Sequence, residues 1–73
     1  LTVEEALPAL EKSLDQALLD GIKTMTIIHG IGTGRLREAV RGFLHDEPRV
    51  KNFYRGEPRG GGEGVTMVEL NND

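Results

Sequence analysis

Cysteine and tryptophan are absent from these 73 residues, and aromatic residues make up only 4% of them. Without thiols, a disulfide framework, a thiolate metal site and cysteine-nucleophile chemistry are excluded, and a reducing, cytoplasmic setting is expected. No apolar run approaches the ~20 residues of a membrane span, and no basic-then-apolar segment opens the chain, so no membrane partner is expected. Length is also short. One small domain fits, and a chain near this size buries only about 60% of the surface that its unfolded form exposes, so a single core is marginal. An excess of basic side chains is missing as well: 12 acidic residues face 9 basic ones, for a net charge of −3. Taken whole, that balance argues against a polyanionic partner, because such binding depends on basic groups neutralising phosphates.

The balance changes along the chain. Residues 1–22 carry five acidic side chains against Lys12 alone, and residues 60–73 carry three acidic side chains and no basic one. Between them, residues 23–59 hold Lys23, Arg35, Arg37, Arg41, Arg49, Lys51, Arg55 and Arg59 against four acidic groups. A basic centre is therefore flanked by acidic ends. The plain reading is a set of solvated faces. The predominance of Arg, whose planar fork of donors suits phosphate, points instead to a polyanion surface.

Thr2 followed three residues later by Glu5 matches a capping box, and Leu7, Leu10, Leu14, Ala17 and Leu18 continue at helical spacing until Gly21. Pro8 falls inside this segment, so a kink or a slightly later start is expected. Lys23 to His29 is rich in β-branched residues (Thr24, Thr26, Ile27, Ile28), with Ile27 and Ile28 adjacent, as in a central strand covered on both faces. It leads into Gly30-Ile31-Gly32-Thr33-Gly34, after which Leu36, Ala39, Val40, Phe43 and Leu44 restore helical periodicity up to Pro48. Val50 to Arg55 and Val65 to Leu70 read as strands, separated by a loop that contains Gly60-Gly61-Gly62-Glu63-Gly64. The expected order is αβαββ in residues 1–70, with 71–73 as a disordered tail. Because a βαβ unit starts with a strand, a further strand just upstream of Leu1 is expected in the intact domain.

The glycine loop is the most informative stretch. Glycines at alternate positions permit positive φ and close approach of a ligand, and the following helix presents unpaired amides and a positive dipole end, which suits phosphate. The spacing is neither a Walker loop, which requires Lys and Ser/Thr where Arg35-Leu36 stand, nor a Rossmann fingerprint. The plainer alternative is a glycine-rich turn with Thr33 capping the helix. His29, at the carboxyl end of its strand, could pass a proton near a phosphodiester or simply hydrogen-bond to backbone. Arg37, Arg41 and His45 recur every four residues as one polar stripe that could follow a nucleic-acid backbone or be solvated, with Arg41 paired to Glu38. If the last strand lies beside the first, the cluster containing Gly61, Gly62 and Gly64 could narrow a cleft with Arg55 and Arg59 at its mouth. No Ser/His/Asp constellation and no metal-ligand spacing of His is present. A dedicated metal site is therefore not expected.

Taken together, Ile27-Ile28-His29-Gly30-Ile31-Gly32-Thr33-Gly34-Arg35-Leu36-Arg37, the opening Thr2-Val3-Glu4-Glu5-Ala6-Leu7, Gly56-Glu57-Pro58, Gly61-Gly62-Glu63-Gly64-Val65-Thr66 and the closing Val68-Glu69-Leu70 resemble the small MutS-related (Smr) domain. The version at the carboxyl end of bacterial MutS-like proteins of the second type is the most similar. The resemblance covers nearly the whole chain. It implies an α/β (α+β) two-layer βαβαββ sandwich, similar to the carboxyl-terminal domain of a translation initiation factor and here lacking its first strand. It also implies an endonuclease that nicks DNA or cleaves RNA within a larger MutS-like ATPase chain, acting in recombination control or ribosome-associated quality control, with the ribosome as a further partner. The family's His-Gly-x-Gly-x-Gly motif falls on His29, Gly30, Gly32 and Gly34. On this reading His29 is catalytic, while Gly30, Gly32, Thr33, Gly34, Arg35, Arg37, Arg41, Gly61, Gly62 and Gly64 bind nucleic acid. No cofactor is evident, although a divalent ion is compatible with such chemistry. The family's Leu-Asp-Leu-Arg/His-Gly strand has no counterpart here, which leaves the activity of this chain to be tested. A DNA- or RNA-binding module without catalysis is the alternative.

Overall fold

A computed structural model describes residues 2–57 and 62–72. Helix α1, Val3–Leu19, starts at Thr2, whose hydroxyl accepts the Glu5 amide while the Glu5 carboxylate accepts the Thr2 amide. Glu5 is thereby held below the ordinary carboxylate range, chiefly by the Thr2 backbone bond. The helix does not start late. It runs through Pro8, which lies on its exposed face, where a carbonyl deprived of its amide partner can be hydrated. Gly21, at φ 71°, ends it: the Gly21 amide donates to Leu18 O and the Ile22 amide to Ala17 O, the paired bonds of a Schellman stop.

Strand β1, Thr24–Ile28, leads through the glycine loop into α2, Arg35–His45, followed by β2, Val50–Arg55, a single 3-10 turn at Gly62–Gly64, and β3, Val65–Leu70. The sheet order is β1-β3-β2, with both pairings antiparallel. Here the expectation of a central β1 is corrected. Among the described residues β3 lies between the other two strands, and β1 is covered on one face only, so Ile28 turns outward and is 80% exposed. A short apolar run does not reveal whether one or both faces are covered. In β3 the alternation holds: Val68 and Leu70 face the helices, and Val65 and Met67 the other side.

Both helices cover one face of the sheet. Leu10, Leu14 and Ala17 from α1 meet Val40 and Leu44 from α2 and Val68 and Leu70 from β3, with Met25, Ile27, Phe43 and Phe53 around them. This is an α+β two-layer fold. Asn71 and Asn72 belong to it rather than to a loose tail. The Asn71 side chain donates to Pro48 O, and that of Asn72 donates to Leu18 O and Ile22 O, giving partners to the ends of α1 and of the α2–β2 turn. Asp73 lies outside the described residues.

Arg49 joins the layers. Its guanidinium bonds Glu47 in two places, pairs with Asp15, and lies 3.6 Å from Glu11. The Arg49 side-chain and backbone hydrogen bonds hold the Glu47 carboxyl well below its ordinary 4.5, at about 2. Because the folded value is depressed, the contribution is full above about pH 4.5 and disappears as pH falls toward 2. Arg49→Ala is expected to lower stability by roughly 1–2 kcal/mol at neutral pH, between the values for exposed and for buried pairs. Urea unfolding at pH 7 and near pH 2 checks this, with the difference shrinking at the acid end.

Candidate functional site

The two glycine clusters meet because of strand pairing. β1 and β3 are antiparallel with Ile28 opposite Val65, so the residues after β1 face those before β3. Gly64 O accepts the amides of both His29 and Gly30, at 3.1 and 3.0 Å. Gly64 is buried, and a Cβ there would sit at ordinary contact distance, 3.5 Å, from the Gly30 backbone. Gly30, Gly32 and Gly34 all have positive φ (76°, 42° and 85°), a conformation that other residues adopt only with strain.

Gly34, rather than Thr33, is the N-cap of α2, which corrects the capping alternative: the Thr33 hydroxyl receives only a long bond, 3.4 Å, from the Arg35 amide. An open cleft of about 460 Å³ lies in front of this turn, lined by Thr2, Val3 and Glu4 on one side and His29, Ile31 to Leu36 on the other. The amino ends of both helices therefore border the same space. The amino end of α2 favours an anion there, whereas that of α1 is already met by its own Glu4 and Glu5, of which Glu4 lines the cleft. Arg35 is exposed at its rim. The contribution of Thr2 and Glu4 to this wall was not legible in the sequence, since it depends on how α1 lies against the loop.

His29 is half-buried, and both ring nitrogens are engaged. Nδ1 lies 2.8 Å from Gly30 O, and Nε2 lies 2.8 Å from the hydroxyl of Thr66, a fully buried residue of β3. A carbonyl only accepts, so Nδ1 carries a proton and Nε2 holds the lone pair in the neutral ring. The Thr66 hydroxyl donates to that lone pair, or accepts from the ring once Nε2 is protonated. Either charge state keeps two hydrogen bonds. Sequence reasoning assigned no role to Thr66, whose only signal was its place after the second glycine cluster.

The stripe expected on α2 is not a free row of cations. The Arg37 and Arg55 guanidinium groups bond the two oxygens of Glu63, at 2.5 and 2.7 Å. Arg41 is half-buried near them with Nη2 lacking a partner among the described residues, and no Glu38 pair forms. His45 is exposed and pairs with Asp46 at 3.2 Å. The long-range partner of Arg37 comes from the sheet, because β3 brings the second cluster back to α2. Gly62, at φ 52°, begins the turn that carries Glu63; Gly61 and Arg59 lie outside the described residues. Among the described residues no three His, Asp or Glu side chains converge in a manner that could hold a metal ion, and no helix is long and apolar enough to cross a membrane.

The chain is thus a small two-layer α+β domain whose His-Gly-x-Gly-x-Gly turn pairs with a second glycine cluster. The model of the Smr domain family matches residues 1–71, and the chain belongs to that family. Its relatives include proteins named Endonuclease MutS2. That from Geobacillus sp. (strain WCH70) is 54% identical over 67 residues, covering 92% of this chain and 8% of the relative, and that from Thermomicrobium roseum is 47% identical over 70 residues, covering 96% and 9%. The chain thus spans under a tenth of these relatives' length. Among solved structures, the Smr domain of Thermus thermophilus MutS2 superposes with a TM-score of 0.96 at 44% identity, covering 97% of this chain and 89% of the other. YdaL, a stand-alone small MutS-related protein from Escherichia coli, gives 0.86 at 31%, covering 94% and 57%.

Proposed function

We propose that this Smr domain is the nucleic-acid endonuclease part of a larger MutS-like ATPase, hydrolysing phosphodiester bonds by DNA nicking or RNA cleavage in recombination control or ribosome-associated quality control. The observation that carries this reading is the placement of the His29 imidazole beside a glycine-lined cleft at the amino end of α2. His29 borders the cleft, and the amides at the start of α2 open into it. A phosphate seated there would meet the Gly30 to Gly34 backbone, the Thr33 hydroxyl and Arg35. Gly61, Gly62 and Gly64 serve the second cluster, of which Gly64 fixes the position of the loop through its carbonyl. For His29 to take a proton from the attacking water or give one to the leaving oxygen, Nε2 has to exchange its bond with the buried Thr66 hydroxyl for one to the substrate, while Nδ1–H stays anchored on Gly30 O.

The relatives' name, Endonuclease MutS2, supports hydrolysis. A binding module without catalysis is favoured by a different observation: the bonds that both His29 nitrogens make would equally suit a brace between loop and sheet. Supercoiled plasmid and structured RNA, each incubated with the protein with and without chelator, test the proposal. Cleavage abolished by chelator would bring in a divalent ion, and binding without cleavage of either substrate would favour the module. Arg35→Ala is expected to weaken oligonucleotide binding and to reduce its salt slope by about one, the signature of a single lost phosphate contact. Fluorescence anisotropy across a salt series measures both.

A further inference from the structure

Beside the loop, three arginines surround one acid. Arg37 and Arg41 project from α2, and Arg55 comes from the end of β2, on the face shared by Phe53 and Thr66. Glu63 stands among them with one carboxylate oxygen on Arg37 and the other on Arg55. Hydrogen bonding by Arg55, then the charges of Arg37, Arg55 and Arg41, hold its carboxyl below the ordinary range. Arg41 retains an unpartnered, buried Nη2 among the described residues. The Arg37 guanidinium also lies over the amino end of α2, since a Cβ on Gly34 would be 3.2 Å from its Nη2.

The arrangement has the form of a phosphate site filled from within. A carboxylate that accepts from two guanidinium forks presents the same oxygen edge as a phosphodiester, and arginine forks suit either. A carboxylate carries one charge and two acceptor oxygens, leaving a donor of the third arginine unused. The acid is also held lightly: the Glu63 side chain is 49% exposed and that of Arg55 60%. A pair this open to water contributes little to stability, so exchanging it for another anion costs little.

Resting on the nucleic-acid reading above, we propose that Arg37, Arg41 and Arg55 form a second backbone-phosphate subsite next to the glycine loop, and that Glu63 occupies it as an internal stand-in which an incoming strand displaces. The turn Gly62–Gly64 then acts as a latch. Gly62 and Gly64 flank the acid, so the turn can carry it away from the arginines while Gly64 O keeps the His29 and Gly30 amides.

Anisotropy with a fluorescein-labelled oligothymidylate, comparing the 73-residue chain with E63Q and with E69Q, tests the latch. Glu69 lies near the opposite end of β3, opposite Thr24 and Asn52, and its replacement removes the same formal charge away from the cluster. E63Q is expected to bind about three- to tenfold tighter than wild type at low salt, with a salt slope steeper by about one, and E69Q less than about twofold tighter. Adding R37A to E63Q is expected to cancel the gain. Equal or weaker binding by E63Q, or an equal gain in E69Q, overturns the latch and leaves the nucleic-acid reading standing. Absence of binding by wild type and both variants overturns both. Should E63Q melt below the working temperature, the unmodified protein decides: the Glu63 carboxyl carbon and the Arg37 and Arg55 Nε–H resonances are expected to shift together on titration with the oligothymidylate. Unmoved resonances at saturation overturn the proposal.

Discussion

Replacing His29 by alanine is expected to lower phosphodiester cleavage by about 10²–10⁴-fold, the usual contribution of a positioned acid or base, with oligonucleotide affinity changed less than about threefold. The ring is held at both nitrogens. Gly30 O fixes the proton on Nδ1, and the Thr66 hydroxyl occupies Nε2, so proton exchange with a phosphodiester requires Nε2 to leave Thr66 while the Nδ1 bond holds the ring in place. Losing the ring also removes a connection between the glycine loop and β3. His29→Gln separates these effects, because the amide has a donor and an acceptor but carries no exchangeable charge near neutral pH. Loss of cleavage in both variants, with the melting temperature of His29→Gln near that of wild type, is the result expected of a catalytic group. Restored cleavage in His29→Gln would make His29 a brace, and unchanged cleavage in both would remove it from the mechanism. Thr66→Val adds a separate readout: with the hydroxyl gone the neutral ring loses its donor at Nε2, so the pH profile of cleavage should move while the overall fold persists.

Leu14→Ala is expected to destabilise the domain by about 3 kcal/mol, within the range of buried leucine truncations. Leu14 is fully buried at the centre of α1, where the helix layer meets the sheet. A chain of 73 residues has a stability on the order of 4–11 kcal/mol by the per-residue rule, so one cavity removes a large part of it. The small core cannot relax far enough to fill the space, because α1, α2 and β3 all rest on it. Leu19→Ala is the control. Leu19 is 82% exposed, and its truncation should change stability by less than about 0.5 kcal/mol. Urea unfolding of the two variants checks the contrast; equal losses would mean that burial does not distinguish the two leucines.

Most local features were legible because they depend on residues a few positions apart. Thr2 and Glu5 make the capping box that their spacing predicts, Gly21 forms the stop, and the β3 alternation separates Val68 and Leu70 from Val65 and Met67. The motif resemblance located the family, which the matching family model bears out. Pro8 misled about the start of α1 because its cost depends on whether the freed carbonyl is buried or wet. The Ile27-Ile28 pair misled about the centre of the sheet for a related reason: adjacent apolar residues do not report how many neighbours their strand has.

By itself, then, the sequence determined the order and approximate place of the helices and strands, which turns carry glycine, and that a histidine and arginines follow one another around a glycine loop. Each of those properties is set by rules of spacing within one element. Only the tertiary structure decided that β3 lies between β1 and β2, and from that one pairing came the remaining contacts: Gly64 against Gly30, Thr66 on His29, and Glu63 between Arg37 and Arg55. These partners are far apart in the chain, and antiparallel register brings them together. Local patterning carries no record of register, which is settled by how the apolar faces of all the elements can be buried at once.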